Sequence, residues 1–213
     1  MKGQIEDTQN ILLLRWNAYS RIRAGVTVHR SPAMWGPSPM TPTTEIDQRL
    51  LSIDGEAGTY MYHFSGDLGD LEFLRYDITN LAYHIRNRGR SAVIGVGGGR
   101  DVLSAYLFGF REITAVEINP VFLEFLTDRF RDFNHLADLT GVRLVHDDAR
   151  SWFASSGRNA GFDLVQMSLT DTWAATGVGA FSLTENGLYT VQGWRYFLAS
   201  LAPNGVFTVS RWR

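Results

Sequence analysis

The chain has 213 residues, no cysteine and a formal net charge of −2. The lack of cysteine excludes disulfides, zinc–thiolate centres and cysteine nucleophiles, and the single lysine, Lys2, excludes a P-loop lysine or a Schiff base within the fold. Acids and bases are interspersed without a basic stripe, so nucleic acid is a poor candidate partner, and no stretch of the sequence is long and apolar enough to span a bilayer.

The first part of the chain predicts a small β-rich appendage, which we place at residues 1–68. Four apolar or loosely alternating runs are typical of short strands, at residues 11–16, 21–29, 50–53 and 59–64. Four prolines lie in residues 31–44, and this stretch therefore predicts an irregular loop between the strands.

Residues 69–213 predict a Rossmann-like domain. A helix is expected first, because apolar residues recur at helical spacing over residues 71–88 and Gly89 supplies a stop signal. Strand-like runs then follow at residues 92–94, 113–117, 142–146, 162–167 and 206–210, separated by helix-like runs at residues 102–108, 121–130, 150–154 and 185–201. This alternation indicates a doubly wound parallel sheet covered on both faces, and together with the motifs described below it resembles the class I methyltransferase type. Such sheets usually continue further, which leaves open a truncation at the C-terminus.

A glycine-rich turn follows the first strand of this domain. Gly95, Gly97 and Gly99 let the backbone bend sharply and bring amides close to a ligand. Arg100 stands where the dinucleotide pattern needs its third glycine, which argues against NAD and FAD. The spacing resembles the first motif of S-adenosylmethionine-dependent transferases, and a purely structural tight turn is the alternative.

Glu117 ends the second strand, about 20 residues beyond the glycines, where a carboxylate can accept hydrogen bonds from both ribose hydroxyls. The alternative is an ordinary solvated acid at a strand end. After the third strand, Asp148 is a candidate acceptor for an adenine amino group, and Asp147 or Asp148 is equally a candidate N-cap of the following helix. Both roles are compatible with one pair of aspartates.

Polar residues also follow the fourth strand, before a loop long enough to act as a lid. Asp171 is the best candidate there for binding or deprotonating an acceptor amine, whereas an Asx-turn at Asp171 and a buried Trp173 are the structural alternatives. The five histidines lack the spacing of metal ligands, so no metal site is predicted.

Together these motifs resemble the spermidine synthase-like group of aminopropyltransferases. The likeness extends from about residue 50 to residue 212 and includes the Ile-Gly-x-Gly-x-Gly turn, the Val-Glu-Ile-Asn-Pro and Asp-Ala-Arg segments, the Phe-Asp-Leu-Val strand and the closing Leu-Ala-Pro-Asn-Gly-Val-Phe. Residues 95–103, 168–180 and 183–190 are similar to the soluble domain of large bacterial membrane proteins of this group.

The resemblance implies aminopropyl transfer to a small-molecule amine, as in polyamine biosynthesis. The residues it assigns to decarboxylated S-adenosylmethionine or a related thionucleoside are Gly95, Gly97, Glu117, Asp148 and Ala149, and Gly99 joins them from the turn. It also implies a cytoplasmic domain, with a tether to the inner membrane through spanning segments of a longer parent and a homodimer as further expectations.

Three positions depart from the pattern of spermidine synthases. Ser168 stands where these enzymes carry the aspartate that helps to deprotonate the amine, while Asp171 matches the second aspartate, which holds the diamine. Ile78 replaces an acid that binds the diamine, and Gly98 replaces the aspartate within the turn. Ser168 and Asp171 are therefore the catalytic candidates, but putrescine is a doubtful acceptor because a buried dication needs several carboxylates.

Two other functions stay open. The first is a methyltransferase that uses ordinary S-adenosylmethionine, which would be favoured if an arginine such as Arg100 reached the α-carboxylate of the cofactor. The second is a non-catalytic nucleoside-sensing domain of a membrane protein, which is favoured by the missing acids at Ser168 and Ile78.

Overall fold

The computed structural model describes residues 8–55, 57–170 and 185–211, and the strands in these ranges form two sheets. The first sheet contains β1 (Ile11–Trp16), β2 (Arg21–Gly25), β3 (Val28–Arg30), β4 (Ile46–Ile53) and β5 (Ala57–Tyr62). The second contains β6 (Arg90–Ile94), β7 (Glu112–Glu117), β8 (Val142–His146), β9 (Phe162–Ser168) and β10 (Leu201–Ser210).

The first sheet is antiparallel, with the order β1-β2-β4-β3 and with β5 paired to β4. The β-rich start of the chain agrees with the sequence prediction, although the run at residues 21–29 forms two strands instead of one. β2 pairs with residues 51–53 of β4 and β3 pairs with residues 46–48 of β4. The pairing with β4 is therefore interrupted between β2 and β3. The proline-rich loop joins β3 to β4 and forms no strand apart from an isolated bridge between Pro37 and Asp77.

The second sheet is parallel throughout and has the order β10-β9-β6-β7-β8. The predicted doubly wound parallel sheet is thus confirmed. β7 follows on one side of β6 and β9 pairs on its other side, so the strand order reverses at β6. In open α/β sheets, ligands bind at the carboxyl ends of the strands beside such a reversal, which is where the glycine turn lies.

The helices are shorter than the sequence predicts. The α-helices in the described ranges are α1 (Leu81–Ile85), α2 (Arg100–Leu107), α3 (Pro120–Glu124), α4 (Arg131–Asn134), α5 (Ala149–Ala154), α6 (Glu185–Leu188) and α7 (Val191–Ala199). The prediction of one helix over residues 71–88 is wrong, because the chain there forms 3₁₀ segments, Leu68–Tyr76 and Ile78–Asn80, before α1. Asp77 is extended between them and caps the second segment by accepting a hydrogen bond from the Thr79 amide.

Two other predicted helices are also interrupted. α3 passes into a π-helical turn, Phe125–Arg129, which widens the helix before α4. The run at residues 185–201 breaks at Thr190, whose side chain accepts a hydrogen bond from the Gly193 amide and starts a new helix, α7. Leu201, the last residue of the predicted helical run, belongs to β10.

One hydrophobic cluster joins the two sheets. Ile22, Leu51 and Met61 of the antiparallel sheet belong to the same buried cluster as Val93 and Leu164 of the parallel sheet. The opposite face of the parallel sheet packs against side chains of α5 and α7 in a second cluster that includes Trp152, Phe153 and Phe197. Both faces of the parallel sheet are therefore covered, and the division of the chain at residues 68 and 69 stays a prediction.

No helix within the described ranges has the length and apolar character that crossing a membrane requires.

Candidate active site

The glycine turn connects β6 to α2 and requires glycine for two reasons. Gly95, Gly97 and Gly99 have φ angles of +80°, +51° and +88°, a region that side chains disfavour. A Cβ on Gly95 would lie 2.7 Å from Thr170 Cγ2, and a Cβ on Gly99 would lie 2.5 Å from Leu136 Cδ1. The turn therefore places its amides at the start of α2 with no room for side chains.

The Glu117 carboxylate lies directly against this turn. Its Oε2 accepts hydrogen bonds from the amides of Val96 at 2.8 Å and Gly97 at 3.1 Å, and its Oε1 accepts one from the Asn119 amide at 2.8 Å. Glu117 is 6% exposed, which differs from the alternative of a solvated strand-end acid. Burial raises the pKa of this carboxyl, and the amide hydrogen bonds oppose that rise. Three of about four acceptor positions on the carboxylate are in use.

β5 of the antiparallel sheet covers one side of the turn. The Thr59 side chain would lie 3.1 Å from a Cβ on Gly97, and the Tyr60 carbonyl oxygen would lie 2.4 Å from a Cβ on Gly98. This contact places the Thr59 side chain beside the turn that we predict to bind cofactor. Sequence reasoning missed Thr59, because nothing in its local pattern shows which residues of the later part of the chain β5 contacts.

The hairpin between β1 and β2 contacts Asn119, in the loop after Glu117. Asn119 caps α3 by accepting a hydrogen bond from the Val121 amide at 3.1 Å. Its Oδ1 also accepts a hydrogen bond from Asn17 Nδ2 at 2.7 Å, and its Nδ2 donates to Ser20 Oγ at 3.1 Å. Asn119 thus links the antiparallel sheet to the loop after Glu117. The sequence showed only that Asn119 precedes Pro120 at the start of a helix.

Asp148 and Ala149 lie at the same edge of the sheet, after β8. Asp148 Oδ1 accepts a hydrogen bond from the Ser151 amide at 2.8 Å, so Asp148 is the N-cap of α5. Ala149 is buried as the first residue of that helix. The capping role of Asp148 is therefore present, and its role toward adenine stays a prediction.

Ser168 ends β9 and is half-buried. Its Oγ accepts a hydrogen bond from Gln166 Nε2 at 2.8 Å, and the same amide nitrogen donates to the Thr79 carbonyl at 3.2 Å. Asp171, the other catalytic candidate, lies outside the described residues, as does Trp173.

A buried ionic cluster lies beside Ser168. We call Asp77, Arg100 and Asp101 the ionic cluster. Arg100 is 4% exposed and donates to Asp77 Oδ2 at 3.2 Å and to Asp101 Oδ1 at 2.8 Å. Because both aspartates hold the guanidinium, Arg100 is not directed toward a cofactor α-carboxylate.

The two aspartates of the cluster are held differently. Asp77 also accepts hydrogen bonds from the Thr79 amide and hydroxyl and from the Trp35 amide. Burial raises the pKa of Asp101, and the Arg100 guanidinium beside it opposes that rise. Sequence reasoning missed both acids, although the Arg-Asp pair at the start of α2 was a visible hint.

A cavity of about 320 Å³ is lined by Arg49, His63, Arg129, Phe130, Asp132 and Phe133, none of which is a predicted site residue. Within the described part of the chain, no group of three acidic or histidine side chains is arranged to hold a metal ion.

No protein-family model and no curated protein sequence matches the chain. Solved structures do match. Spermidine synthase from Thermotoga maritima aligns with 94% of the chain at 14% identity and a TM-score of 0.58. A spermidine synthase in complex with the transition-state analogue AdoDATO aligns with 94% of the chain at 13% identity and a TM-score of 0.56.

The chain spans somewhat more than half the length of these structures, 57% and 56% respectively. At such low identity the likeness shows the fold alone. The chain therefore has a class I methyltransferase-like fold with an antiparallel sheet before it.

Proposed function

We propose that this chain is a transferase that binds an S-adenosyl-type sulfonium compound and moves an aminopropyl group to an amine. The observation that carries the proposal is the buried Glu117 carboxylate, held against the glycine turn by the amides of Val96 and Gly97. The fold likeness to spermidine synthases, which extends over both sheets, supports it.

The nucleoside would bind at the carboxyl edge of the parallel sheet. Glu117 would accept hydrogen bonds from the ribose hydroxyls, and the amides of the glycine turn would approach the ligand closely. Asp148 uses one carboxylate oxygen to cap α5, which leaves the other for the adenine amino group. Since Glu117 already accepts three amide hydrogen bonds, a ribose must use its remaining lone pair or displace one amide.

The charge beside the turn favours the decarboxylated form of the sulfonium compound. The ionic cluster has two carboxylates and one guanidinium, so it carries a net charge of −1 when both acids are ionised. A negative cluster repels the α-carboxylate of ordinary S-adenosylmethionine and attracts ammonium groups. Aminopropyl transfer is therefore favoured over methyl transfer.

The bound sulfonium supplies its own electrophilic carbon, so the protein has two tasks. It must hold the amine in line with the carbon–sulfur bond, and it must accept the proton that the amine loses. Ser168, the last residue of β9, and Asp171, which lies three positions later in the sequence, are the residues we assign to the amine.

Calorimetric titration tests the nucleoside site. The ligands are methylthioadenosine, decarboxylated S-adenosylmethionine and S-adenosylmethionine. We expect the first two to bind and the third to bind more weakly. Glu117→Gln should weaken methylthioadenosine binding about tenfold to hundredfold, because a charged hydrogen-bond acceptor is lost. Glu112→Gln, at the exposed start of the same strand, is the matched control and should bind like the wild type. Failure of the folded protein to bind any ligand would overturn the proposal.

Product analysis tests the transferred group. The protein is incubated with each sulfonium compound and a panel of monoamines and diamines, and products are identified by mass spectrometry. Aminopropyl transfer releases methylthioadenosine, whereas methyl transfer releases S-adenosylhomocysteine. Binding without any product would instead identify a sensing domain.

A further inference from the structure

The cavity of about 320 Å³ lies between the antiparallel sheet and the helices that follow β7. One wall has Arg49, on β4, and His63, directly after β5. The other wall is formed at the π-helical turn and α4 by Arg129, Phe130, Asp132 and Phe133. The volume is at the lower end of the range of ligand pockets, about 300–1,000 Å³, so the cavity suits a small molecule.

Arg49 brings a guanidinium to this cavity without a bound carboxylate. Its Nε donates a hydrogen bond to Thr27 Oγ1 at 2.9 Å. Within the described ranges, no hydrogen bond or ion pair holds its two Nη groups. The neighbouring carboxylate of Asp47 is bound instead by His29 Nδ1, at 2.8 Å. All N–H donors of the guanidinium except the one on Nε are therefore available to a ligand.

Two aromatic rings restrain this guanidinium. Arg49 Cζ lies 4.0 Å from the centroid of the Phe133 ring and 4.6 Å from the centroid of the Phe130 ring. Phe133 in turn packs edge to face against His63, with the ring centroids 5.3 Å apart. A restrained guanidinium presents its N–H groups as a fixed fork, and such a fork matches two oxygens of a carboxylate or a phosphate.

The other charges around the cavity act in both directions. Arg129 adds a second positive charge, although its Nε already donates to Glu124 Oε1 at 3.0 Å. Asp132 adds an exposed carboxylate, which repels an anion. Burial lowers the pKa of Arg49, and the nearby Asp47 carboxylate opposes that change. An anion on the Nη groups of Arg49 would supply the compensating charge that this guanidinium lacks.

Hydrogen bonds hold the two walls of the cavity together. The Phe64 amide donates to the Phe133 carbonyl at 3.0 Å, and Asn134 Nδ2 donates to the Tyr62 carbonyl at 3.1 Å. Both bonds join the end of β5 to α4 directly beside the cavity. Because the walls are already fixed, a ligand loses little binding free energy to ordering them.

We propose that this cavity is a second ligand site, separate from the nucleoside site, which binds a small oxyanion through the Nη groups of Arg49. The recognised group is a carboxylate or a phosphate, since both offer paired oxygens to the guanidinium fork. Stacking on Phe130 and Phe133 explains how the guanidinium is held but leaves its Nη hydrogens unused. The inference does not depend on the proposed transferase activity.

Titrations of the full chain with sodium phosphate and with sodium acetate test the site, with sodium chloride at equal ionic strength as reference. The reporter is the NMR signal of the Arg49 Nε–H group. We expect a saturable shift with phosphate, acetate or both, and the two titrations distinguish a phosphate site from a carboxylate site. Chloride should give no saturable shift, because it lacks the paired oxygens that the fork recognises.

Variants with opposite expected effects sharpen the test, and calorimetry with the better anion measures them. Arg49→Met should weaken binding at least about tenfold, because charge-assisted hydrogen bonds are lost. Arg49→Lys keeps the charge without the fork and should weaken binding less than Arg49→Met does. Asp132→Asn should strengthen binding about twofold to fivefold, because an opposing charge is removed. Arg143→Met is the matched control, since Arg143 also lies over an aromatic ring, that of Trp152, but is exposed and outside the cavity.

The inference is overturned if the folded wild type binds neither phosphate nor acetate saturably. It is also overturned if Arg49→Lys and Arg49→Met, checked for folding by circular dichroism, bind the anion as the wild type does, or if Asp132→Asn binds it more weakly. Methylthioadenosine binding should stay within about twofold of the wild type in Arg49→Lys. A parallel loss of both ligands would show that the cavity is not a separate site.

Discussion

Two buried acidic sites lie near each other at the carboxyl edge of the parallel sheet, and they are stabilised in different ways. Glu117 is held by three main-chain amides, from Val96, Gly97 and Asn119. Asp77 and Asp101 share one counter-ion, the guanidinium of Arg100, and Asp77 also accepts hydrogen bonds from the amides of Thr79 and Trp35. A carboxylate bound by the backbone depends on the shape of a loop, whereas one bound by an arginine depends on a single residue.

This difference between main-chain and side-chain donors determines which substitutions each site tolerates. No single side-chain deletion removes the donors of Glu117, because the donors are peptide groups. One deletion at Arg100 leaves two buried carboxylates without their counter-ion, and the cost of burying an unpaired charge is large.

The largest effect is expected for Arg100→Met, which keeps much of the side-chain volume and removes the charge. We expect the free energy of unfolding to fall by about 3–5 kcal/mol, the usual cost of breaking a buried ion pair. Urea denaturation measures the change. Arg195→Met, at an exposed position of α7, is the matched control and should have little effect. Equal losses in both variants would contradict the role of Arg100.

A smaller effect is expected for Gly98→Ala, which tests how the backbone site depends on its shape. The new Cβ would lie 2.4 Å from the Tyr60 carbonyl oxygen, so β5 or the turn must move. We expect a loss of about 1–3 kcal/mol, as in other overpacked sites, together with weaker methylthioadenosine binding. Gly25→Ala is the control, because its Cβ would have no neighbour nearer than 3.4 Å. A Gly98→Ala variant with wild-type stability and binding would show that the turn does not depend on β5.

The smallest effect is expected at Asp163, a carboxylate near the opposite edge of the sheet. It accepts hydrogen bonds from the Arg90 amide and from the Arg86 guanidinium. Burial alone would raise the pKa of Asp163, but these two donors outweigh burial and lower it. The pKa of Glu117 is shifted in the opposite direction, because Glu117 is more deeply buried and its donors are neutral amides.

A lowered pKa in the folded state means that ionised Asp163 stabilises the fold above its unfolded pKa of 3.8, and that this contribution disappears as the pH falls through the folded value. Asp163→Asn should therefore lower the free energy of unfolding by about 1 kcal/mol at neutral pH, and the difference from the wild type should shrink below pH 3.8 and vanish once the pH is below the folded pKa. Urea denaturation across this range measures it, with the exposed Asp132→Asn as control. A difference that persisted at the acid end would show that charge is not the cause.

Local patterns predicted the features that depend on neighbouring residues. The parallel strands follow from runs of apolar residues, and the turn after β6 follows from its glycines, whose positive φ angles are a property of that segment alone. The prediction of a helix over residues 71–88 is wrong, and the reason is also local. Asp77 competes for backbone amides and breaks the helical hydrogen bonding, an effect that apolar periodicity does not register.

The sequence by itself determined the succession of strands and helices in the parallel-sheet part of the chain. It also determined the glycine turn and the position of Glu117 at the end of a strand. Only the tertiary structure decided what these features contact. Arg100 and Asp77 are 23 residues apart, Gln166 and Thr79 are 87 apart, and Asn17 and Asn119 are 102 apart. Such contacts arise when whole elements pack together, so the ionic cluster beside Ser168 and the cover that the antiparallel sheet gives the turn leave no pattern in any short stretch of sequence.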